Sequence, residues 1–147
     1  MNTAADHACA DNPLLDALGI RLARVGPGHS TFELDIEPRH LNRQGTLQGG
    51  VSATLLDAAC GYAGLQTEEG GALGNAVTLM LAISYLGRVS TGTVRAVATV
   101  TRAGRSIYFS SAELVSADGE RIATAQGTFK RSPAAPATRA AADTSEA

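Results

Sequence analysis

Hydrophobic and polar positions alternate with a period of two through the second half of the chain. The alternation is clearest where apolar residues occupy every second position, at Val94, Ala96, Ala98 and Val100. A period of two is typical of strands with one buried face, and it predicts four strands, over Ala76–Leu86, Thr93–Arg102, Ser106–Val115 and Arg121–Lys130. Turn composition at Ala103-Gly104 and Asp118-Gly119 predicts that these strands form antiparallel hairpins.

Three shorter elements are predicted nearer the start of the chain. Asn12 followed by Pro13 is typical of an N-cap and a first helical residue, so a short helix is predicted over Asn12–Leu18, ended by Gly19. The turn cluster GPGHS separates two further segments with strand periodicity. They are Ile20–Val25 and Thr31–Ile36.

The longest apolar run, Val51–Leu65, predicts the central element of the fold. It contains no proline, is rich in Ala and Leu, and is too long for one strand, so a helix is predicted. Because this helix is apolar on nearly all sides, it is expected to be buried. One buried helix followed by a series of antiparallel strands predicts an α+β fold in which the sheet wraps around the helix.

Composition narrows the class of protein. The 147 residues fit one domain, and 44% hydrophobic with 18% charged residues provide for a packed core. A net charge of −2 argues against a nucleic-acid partner or an anionic membrane surface, and no apolar run reaches the roughly 18 residues needed to span a bilayer. Two cysteines cannot build a disulfide framework, and the first residues lack a signal-peptide pattern, so a cytoplasmic protein is expected.

The two ends of the chain differ from the rest. Residues 1–10 and 132–147 have no apolar period, and the second segment consists mainly of Ala, Pro, Ser and Thr. Both are predicted to be disordered. The domain is therefore expected to cover residues 11–131.

Asp57 is the one charged residue in the predicted central helix. A carboxylate on an apolar helix is costly unless it is paired, hydrated or functional, so two roles are open: a structural Asp bonded to the backbone or paired with an Arg, and a catalytic acid. Helical spacing places four small residues on the face that carries this acid, Gly50, Ala53, Gly61 and Gly64. That face can accept a ligand, a second helix or a second subunit.

Gln48, Gly49 and Gly50 lie where the central helix begins. The first amides of a helix have no internal partner, and glycine lets a substrate oxygen approach them, so an oxyanion site is predicted. Asp57 follows Gly49 by eight residues, which is about 12 Å along a helix. One acyl carbon needs both groups at about 3 Å, so two antiparallel copies of the helix are required, and a two-fold dimer with shared sites is predicted.

The segment HLNRQGTLQGGVSATLLDAACGYAG resembles the signature of the hotdog-fold acyl-CoA thioesterases, in particular the phenylacetyl-CoA and 4-hydroxybenzoyl-CoA branches. Those proteins have the pattern N/Q-x-x-G-x-x-H-G-G and then an acid eight residues after the first paired glycine. The segment ISYLGRVSTGTVRAVATVTRAGRSIYF resembles their strand with Y-L-R-P, followed by a Gly-Arg turn. The resemblance covers residues 12–131 and implies a hotdog fold, hydrolysis of acyl-CoA or aryl-CoA, and a homodimer or a homotetramer of two dimers.

The resemblance also implies roles for individual residues. Asp57 matches the catalytic carboxylate, which attacks the thioester or activates water, and Gly49 matches the glycine whose amide polarises the carbonyl. Asn42 matches a side-chain amide that orients the water or the carbonyl. Gln48 replaces the usual His, so it can donate a hydrogen bond but cannot titrate near neutral pH. The implied substrate-binding residues are Gly50, Gly61, Arg88, Arg102, Gly104 and Arg105.

Some of these positions depart from the family pattern. Gly61 replaces a frequent Ser or Thr, and Arg88 is shifted by one residue from the Arg of Y-L-R-P. The turn at Gly104 is expected near the nucleotide of coenzyme A, where Arg102 and Arg105 either meet phosphates or form a solvated hairpin end. The small residues beside Asp57 are expected to leave space for an aryl or medium-length acyl group.

Two other functions remain open. One is an acyl-CoA-binding module without catalysis, and the other is a hydratase or dehydratase of the same fold, which needs a catalytic His that the helix segment lacks. No cofactor is expected, because coenzyme A is part of the substrate. The three histidines lack metal-ligand spacing, so no metal is expected either.

Overall fold

The structure of the protein, a computed structural model, describes residues 12–133. The disorder predicted for residues 1–10 and from residue 134 onward therefore lies outside the described residues. Ser132, predicted to begin the disordered tail, instead ends the last strand.

Every element predicted from the sequence is present, with ends shifted by at most three residues. The chain forms α1 (Pro13–Leu18), β1 (Arg21–Gly26), β2 (His29–Asp35), a 3₁₀ turn (Pro38–His40), α2 (Gly49–Tyr62), β3 (Asn75–Tyr85), β4 (Thr93–Ala103), β5 (Ile107–Val115) and β6 (Arg121–Ser132). The largest shift is in α2, which begins two residues earlier and ends three residues earlier than predicted.

Both ends of the short helix α1 are capped by the residues that the sequence predicts. The side chain of Asn12 accepts a hydrogen bond from the amide of Leu15, which caps the first turn. Gly19 adopts a left-handed φ of 75° at the other end, a conformation that glycine reaches without steric cost. Capping residues are local signals, so the sequence was sufficient to predict this element.

Six antiparallel strands form one sheet in the order β1-β2-β4-β5-β6-β3. The sheet curves around α2, which packs against β2, β3, β4, β5 and β6. The predicted alternation in β4 is confirmed, because Val94, Ala96 and Ala98 are fully buried. The face of the sheet toward α2 is called the inner face below.

Burial of α2 is less complete than its sequence predicts. One side of the helix is buried in the core, through Ser52, Leu55, Leu56, Ala59 and Cys60. The other side is half-buried, and Gly50 is exposed. Because this second side is also apolar, a single chain leaves part of the helix without the packing that its composition requires.

The two edges of the sheet differ in how they are protected. The edge strand β1 carries Arg21 and Arg24 and has a bulge between Leu22 and Arg24, features that discourage pairing with another strand. The opposite edge strand, β3, contains no charged residue, and Val77 and Leu79 are 51% and 55% exposed. A long apolar edge of this kind is a template for pairing with another chain.

Candidate active site

Asp57 lies on the side of α2 that faces β3. Its Oδ1 accepts a hydrogen bond from the Thr78 hydroxyl at 2.8 Å. Among the described residues, no basic side chain forms an ion pair with Asp57. The structural ion pair that the sequence left open is therefore absent from this part of the chain. Asp57 is half-buried and is held by one neutral hydroxyl.

Thr78 is a site residue that the sequence analysis missed. Leu81 and Ile83 pair with buried residues of β6 on the inner face, so counting back by two predicts Leu79 there. A bulge between Thr78 and Met80 adds one residue and brings Thr78 to the inner face instead. The pattern of β3 contains no signal for this bulge, so the hydroxyl beside Asp57 required the structure.

The start of α2 presents free amides, as predicted. The helix begins at Gly49, and Gln48 is the N-cap residue but makes no capping hydrogen bond with its side chain. The amides of Gly49 and Gly50 are the first two of the helix, so no helical carbonyl lies in position to accept from them. Within the described part of the chain, the exposed Gln48 side chain also makes no hydrogen bond.

Tyr85 holds the first turn of α2 against β3. Its hydroxyl donates to the carbonyl oxygen of Gly49 at 2.6 Å, and a Cβ on Gly49 would lie 3.5 Å from the Tyr85 ring. Thr78 holds Asp57 against the same strand. Gly49 and Asp57 therefore both lie at the β3 edge, about 12 Å apart along the helix axis.

Asn42 shapes the loop before α2. Its Oδ1 accepts from the amides of Gln44 and Thr46 at 2.9 and 3.1 Å, and its Nδ2 donates to the Thr46 hydroxyl at 3.0 Å. These bonds close a short turn that leads to Gln48. Within its own chain, Asn42 therefore orders the loop, and one Nδ2 hydrogen is left for other contacts.

The space predicted beside Gly61 and Gly64 is filled. A Cβ on Gly61 would lie 3.3 Å from the Phe129 ring, and a Cβ on Gly64 would lie 2.3 Å from the Tyr108 ring. The two glycines let aromatic rings from β5 and β6 approach the helix closely. The expectation that these two glycines leave space near Asp57 is therefore wrong, because aromatic rings distant in sequence lie against them.

The last turn of α2 is bound to the sheet by Tyr108 and Arg131. The Tyr108 hydroxyl donates to the Gly61 carbonyl at 2.6 Å, and the Arg131 guanidinium donates to the Gly64 carbonyl. Arg131 also lies over the Tyr108 ring, 4.7 Å from its centre. The Gly61 carbonyl also accepts from the Gly64 amide, so Tyr108 adds a second donor there, and Arg131 places a cation at the negative end of the helix dipole.

Cys60 faces the core and is not a nucleophile. Burial, with a smaller contribution from the Asp57 carboxylate, raises the pKa of its thiol to about 12. The reactive form of cysteine is the thiolate, so this thiol is inert near neutral pH. Burial also raises the pKa of Tyr108 to about 12, although the Arg131 guanidinium opposes this shift.

The arginines predicted to bind substrate are all exposed. Arg88, Arg102 and Arg105 form no ion pair among the described residues. The turn at Gly104 is closed by its amide, which donates to the Ile107 carbonyl at 2.7 Å. Lys130, which the sequence analysis did not single out, lies opposite Ile107 in the register of β5 and β6. The turn between β4 and β5, called the basic hairpin end below, is therefore positively charged and open to solvent.

A six-stranded antiparallel sheet around one long helix, with a carboxylate on that helix and free amides at its start, defines a hotdog-fold hydrolase. The predicted fold is confirmed. The chain belongs to the thioesterase superfamily, whose family model matches residues 44–123. It is therefore a thioesterase, as the sequence predicts.

Relatives with known names and structures agree with this assignment. Human acyl-coenzyme A thioesterase 13 is 33% identical over 111 residues, which cover 74% of this chain and 77% of the human protein. The zebra fish thioesterase superfamily member 2 structure has a TM-score of 0.71 at 30% identity, covering 85% of this chain and 91% of that chain. The phenylacetic acid degradation protein PaaI of Thermus thermophilus, solved as a mutant, has a TM-score of 0.74 at 27% identity, covering 82% and 100%.

No helix within residues 12–133 has both the length and the apolar character needed to cross a bilayer.

Proposed function

We propose that this thioesterase hydrolyses acyl-CoA or aryl-CoA thioesters to the free acid and coenzyme A, in sites shared between the two subunits of a homodimer. The observation that carries the proposal is the placement of Asp57 and the Gly49 amide at the same edge of the protomer, about 12 Å apart. The relatives named for acyl-coenzyme A hydrolysis and for phenylacetic acid degradation support the substrate class.

The β3 edge supports the dimer. Antiparallel pairing of β3 with its copy would extend the sheet across a two-fold axis and cover the exposed Val77 and Leu79. The two α2 helices, each held against β3, would then lie side by side in opposite directions. This arrangement brings Gly49 of one subunit toward the partner subunit's Asp57, which one chain cannot achieve.

Two such dimers are proposed to form a homotetramer. Phe109 and Val97 remain exposed on the outer face of the sheet, which β3 pairing would not cover. A groove of about 640 Å³ on that face is lined by Ser84, Thr99, Glu113 and Gln126 among others. It lies on the opposite side of the sheet from Asp57, so we assign it to assembly rather than to catalysis.

The proposed chemistry begins at the thioester carbonyl. Its oxygen accepts from the Gly49 amide, where the positive end of the helix dipole stabilises the developing negative charge. The Asp57 carboxylate of the partner subunit, with Oδ1 held by Thr78, uses Oδ2 either to take a proton from water or to attack the carbonyl carbon. Attack forms a mixed anhydride that water then hydrolyses. In both routes one water is consumed and one acid and one thiol are formed.

Departure of coenzyme A does not require a titrating residue. A thiol has a pKa of about 8.5, so the thiolate is a far better leaving group than an alkoxide. The Gln48 amide lies beside the helix start and can donate a hydrogen bond to the leaving sulfur. Replacement of the family's His by Gln is therefore compatible with turnover.

The basic hairpin end is proposed to bind the phosphates of coenzyme A. Arg102 and Arg105 are free to form charge-assisted hydrogen bonds, and Lys130 adds a third positive charge. Arg88, which lies near the start of α2, is proposed as a further contact. A cytoplasmic location fits this substrate and the free thiol of Cys60.

Subunit complementation tests the shared site. Asp57→Ala removes the carboxylate, and Gly49→Pro removes the amide. Proline is well tolerated at the first helical position, and Gln48 already has the extended ψ of 134° that a residue before proline requires. Asp57→Ala is expected to abolish thiol release, and Gly49→Pro to lower kcat by about 10²–10³-fold.

The mixed protein is the decisive sample. After random reassociation, half of the dimers contain one chain of each variant, and one of their two sites is intact, so about a quarter of wild-type activity is expected. Asp118→Ala, at an exposed turn, is the matched control and keeps full activity. No recovery on mixing would refute the shared site. Wild type that binds acyl-CoA but releases no thiol would favour the binding-module alternative.

Isotope labelling separates the two roles of Asp57. A single turnover in water enriched in oxygen-18 places the label in the product acid if Asp57 deprotonates water. If the carboxylate attacks, water that hydrolyses the anhydride at the Asp57 carbonyl leaves the label in the Asp57 side chain, whereas water that adds to the acyl carbonyl labels the acid as in the first route. Label in the Asp57 side chain after one turnover therefore demonstrates attack by the carboxylate. Mass spectrometry of the tryptic peptide that contains Asp57 reads the difference.

A further inference from the structure

One aromatic ring fills the space between a glycine of α2 and a glycine on the inner face of β6. A Cβ on Gly61 of α2 would lie 3.3 Å from Cε1 of Phe129, and a Cβ on Gly127 of β6 would lie 2.5 Å from Cε2 of the same ring. Phe129 is 2% exposed. The ring therefore takes the volume that side chains at both positions would otherwise occupy.

This ring lies close to the candidate catalytic carboxylate. Phe129 pairs with Thr78 in the register of β6 and β3, and Thr78 bonds Asp57. Gly61 follows Asp57 by one helical turn, on the same face of α2. The Phe129 ring therefore contacts α2 one turn beyond Asp57, beside the strand position that holds the carboxylate.

A buried hydroxyl on β5, next to Gly127, has no hydrogen-bond partner among the described residues. Ser110 is 2% exposed and lies directly opposite Gly127 in the register of β5 and β6, on the inner face. Its Oγ forms no hydrogen bond with any described residue. Unsatisfied buried polar groups are rare in packed cores, and they are found where a ligand or a water is accommodated. The two glycines and this hydroxyl therefore lie around the Phe129 ring, and small residues beside an unpaired polar group are typical of a binding pocket.

We propose that Phe129 closes the inner end of the acyl pocket that begins at Asp57, and so restricts the substrate to short acyl and single-ring aryl groups. A smaller side chain at this position would extend the pocket between α2 and β6 toward the Ser110 hydroxyl. Voids of the size of one aromatic ring in an apolar core accept small apolar molecules, so the opened volume suffices for several more carbons of an acyl chain. The inference rests on the proposed thioesterase substrate class and defines its size limit.

Acyl-chain profiles test this proposal. Purified wild type, Phe129→Leu and Phe129→Ala are assayed for thiol release with a saturated acyl-CoA series from butanoyl to hexadecanoyl, and with phenylacetyl-CoA. Wild type is expected to have its highest kcat/KM at hexanoyl or shorter chains. Both variants are expected to raise the dodecanoyl-to-hexanoyl ratio of kcat/KM by at least about tenfold, since each accommodated methylene contributes substantially to kcat/KM. Phe109→Ala is the matched control, because Phe109 lies on the adjacent strand but faces outward.

The assays distinguish an error in the proposed size limit from an error in the proposed thioesterase function. If wild type hydrolyses no acyl-CoA, the substrate class itself is wrong. If wild type is active but cleaves hexadecanoyl-CoA as well as hexanoyl-CoA, the size limit is wrong, and no variant is needed for this result. An unchanged ratio in folded Phe129→Leu, or an equal rise in Phe109→Ala, would also overturn the role of Phe129.

Discussion

At the scale of single residues, the hydroxyl of Thr78 is the one described contact that fixes the Asp57 side chain. A carboxylate held at one oxygen keeps the other free for water or substrate. Thr78 therefore acts through Asp57, as a positioning residue.

Removal of that hydroxyl is expected to slow the reaction without unfolding the protein. Thr78→Ala should lower kcat by about 10–100-fold with little change in KM, because hydrogen bonds that place a catalytic group act mainly on the chemical step. Thr78→Ser keeps the hydroxyl and should retain most of the activity. Thr99→Ala, on an exposed outward-facing position of β4, is the control. Equal kcat values for Thr78→Ala and wild type would show that Asp57 is positioned by other groups.

Two buried acids make folding sensitive to alkaline pH. The pKa of Cys60 rises from 9.0 to about 12 in the folded protein, and that of Tyr108 from 10.0 to about 12. Above about pH 9 the unfolded chain loses these protons while the folded chain retains them. The free energy of unfolding is therefore expected to fall between pH 9 and pH 12, by up to about 1.4 kcal/mol per pH unit for each group.

Urea unfolding at pH 8, 10 and 11 checks this expectation. Cys60→Ala should reduce the fall in the unfolding free energy, and Thr99→Ala, at an exposed position without a titrating group, should leave it unchanged. In a Cys9→Ser background, the Cys60 thiol should react with a thiol reagent only after unfolding. Rapid reaction of the native protein would contradict the burial of Cys60.

At the scale of elements, His40 joins the 3₁₀ turn to the end of α1. Its Nδ1 accepts from the Glu37 amide at 2.9 Å, and its Nε2 lies 2.7 Å from the Leu18 carbonyl oxygen. Because a carbonyl only accepts, Nε2 is the donor in this contact. The side chain is 1% exposed, so both partners depend on it.

His40→Ala is expected to lower the free energy of unfolding by about 3 kcal/mol, since it leaves a buried amide and a buried carbonyl without partners. Chemical denaturation measures the change. His29→Ala is the matched control, because the His29 side chain is half-buried and forms no hydrogen bond with any described residue, and a loss under about 1 kcal/mol is expected there. Similar losses at the two positions would mean that the His40 hydrogen bonds contribute little.

At the scale of the whole molecule, β3 both borders the site and forms the unprotected edge of the sheet. It holds Gly49 through Tyr85 and Asp57 through Thr78, and it carries no charge to discourage pairing. Assembly and catalysis are therefore expected to depend on the same strand. Loss of the dimer should remove activity even when each chain remains folded.

The double substitution Val77→Lys and Leu79→Lys tests this dependence. Lysine on an edge strand opposes pairing, so sedimentation should detect folded monomers, and thiol release should fall to the level of Asp57→Ala. Val97→Lys on the outer face is the control, and it should separate a tetramer into active dimers at most. Active monomers would rule out a site shared between subunits.

The sequence by itself determined the elements and their order, because those depend on local properties. Period-two alternation, the Asn12 cap, the glycine turns and the long apolar run each act within a few residues along the chain. The positions of Asp57 and Gly49 on one helix followed in the same way, and so did their separation. The α+β arrangement of a sheet around one helix came from these local features, whereas the hotdog fold and the thioesterase class came from the resemblance of two segments to that family.

Only the tertiary structure decided which side chains surround Asp57. The bulge in β3 depends on how that strand pairs with β6. It places Thr78, and not Leu79, on the inner face. The space beside Gly61 depends on the Phe129 ring, which lies 68 residues further along the chain. Strand register and side-chain volume are set by contacts between distant segments, and for that reason no local pattern could report them.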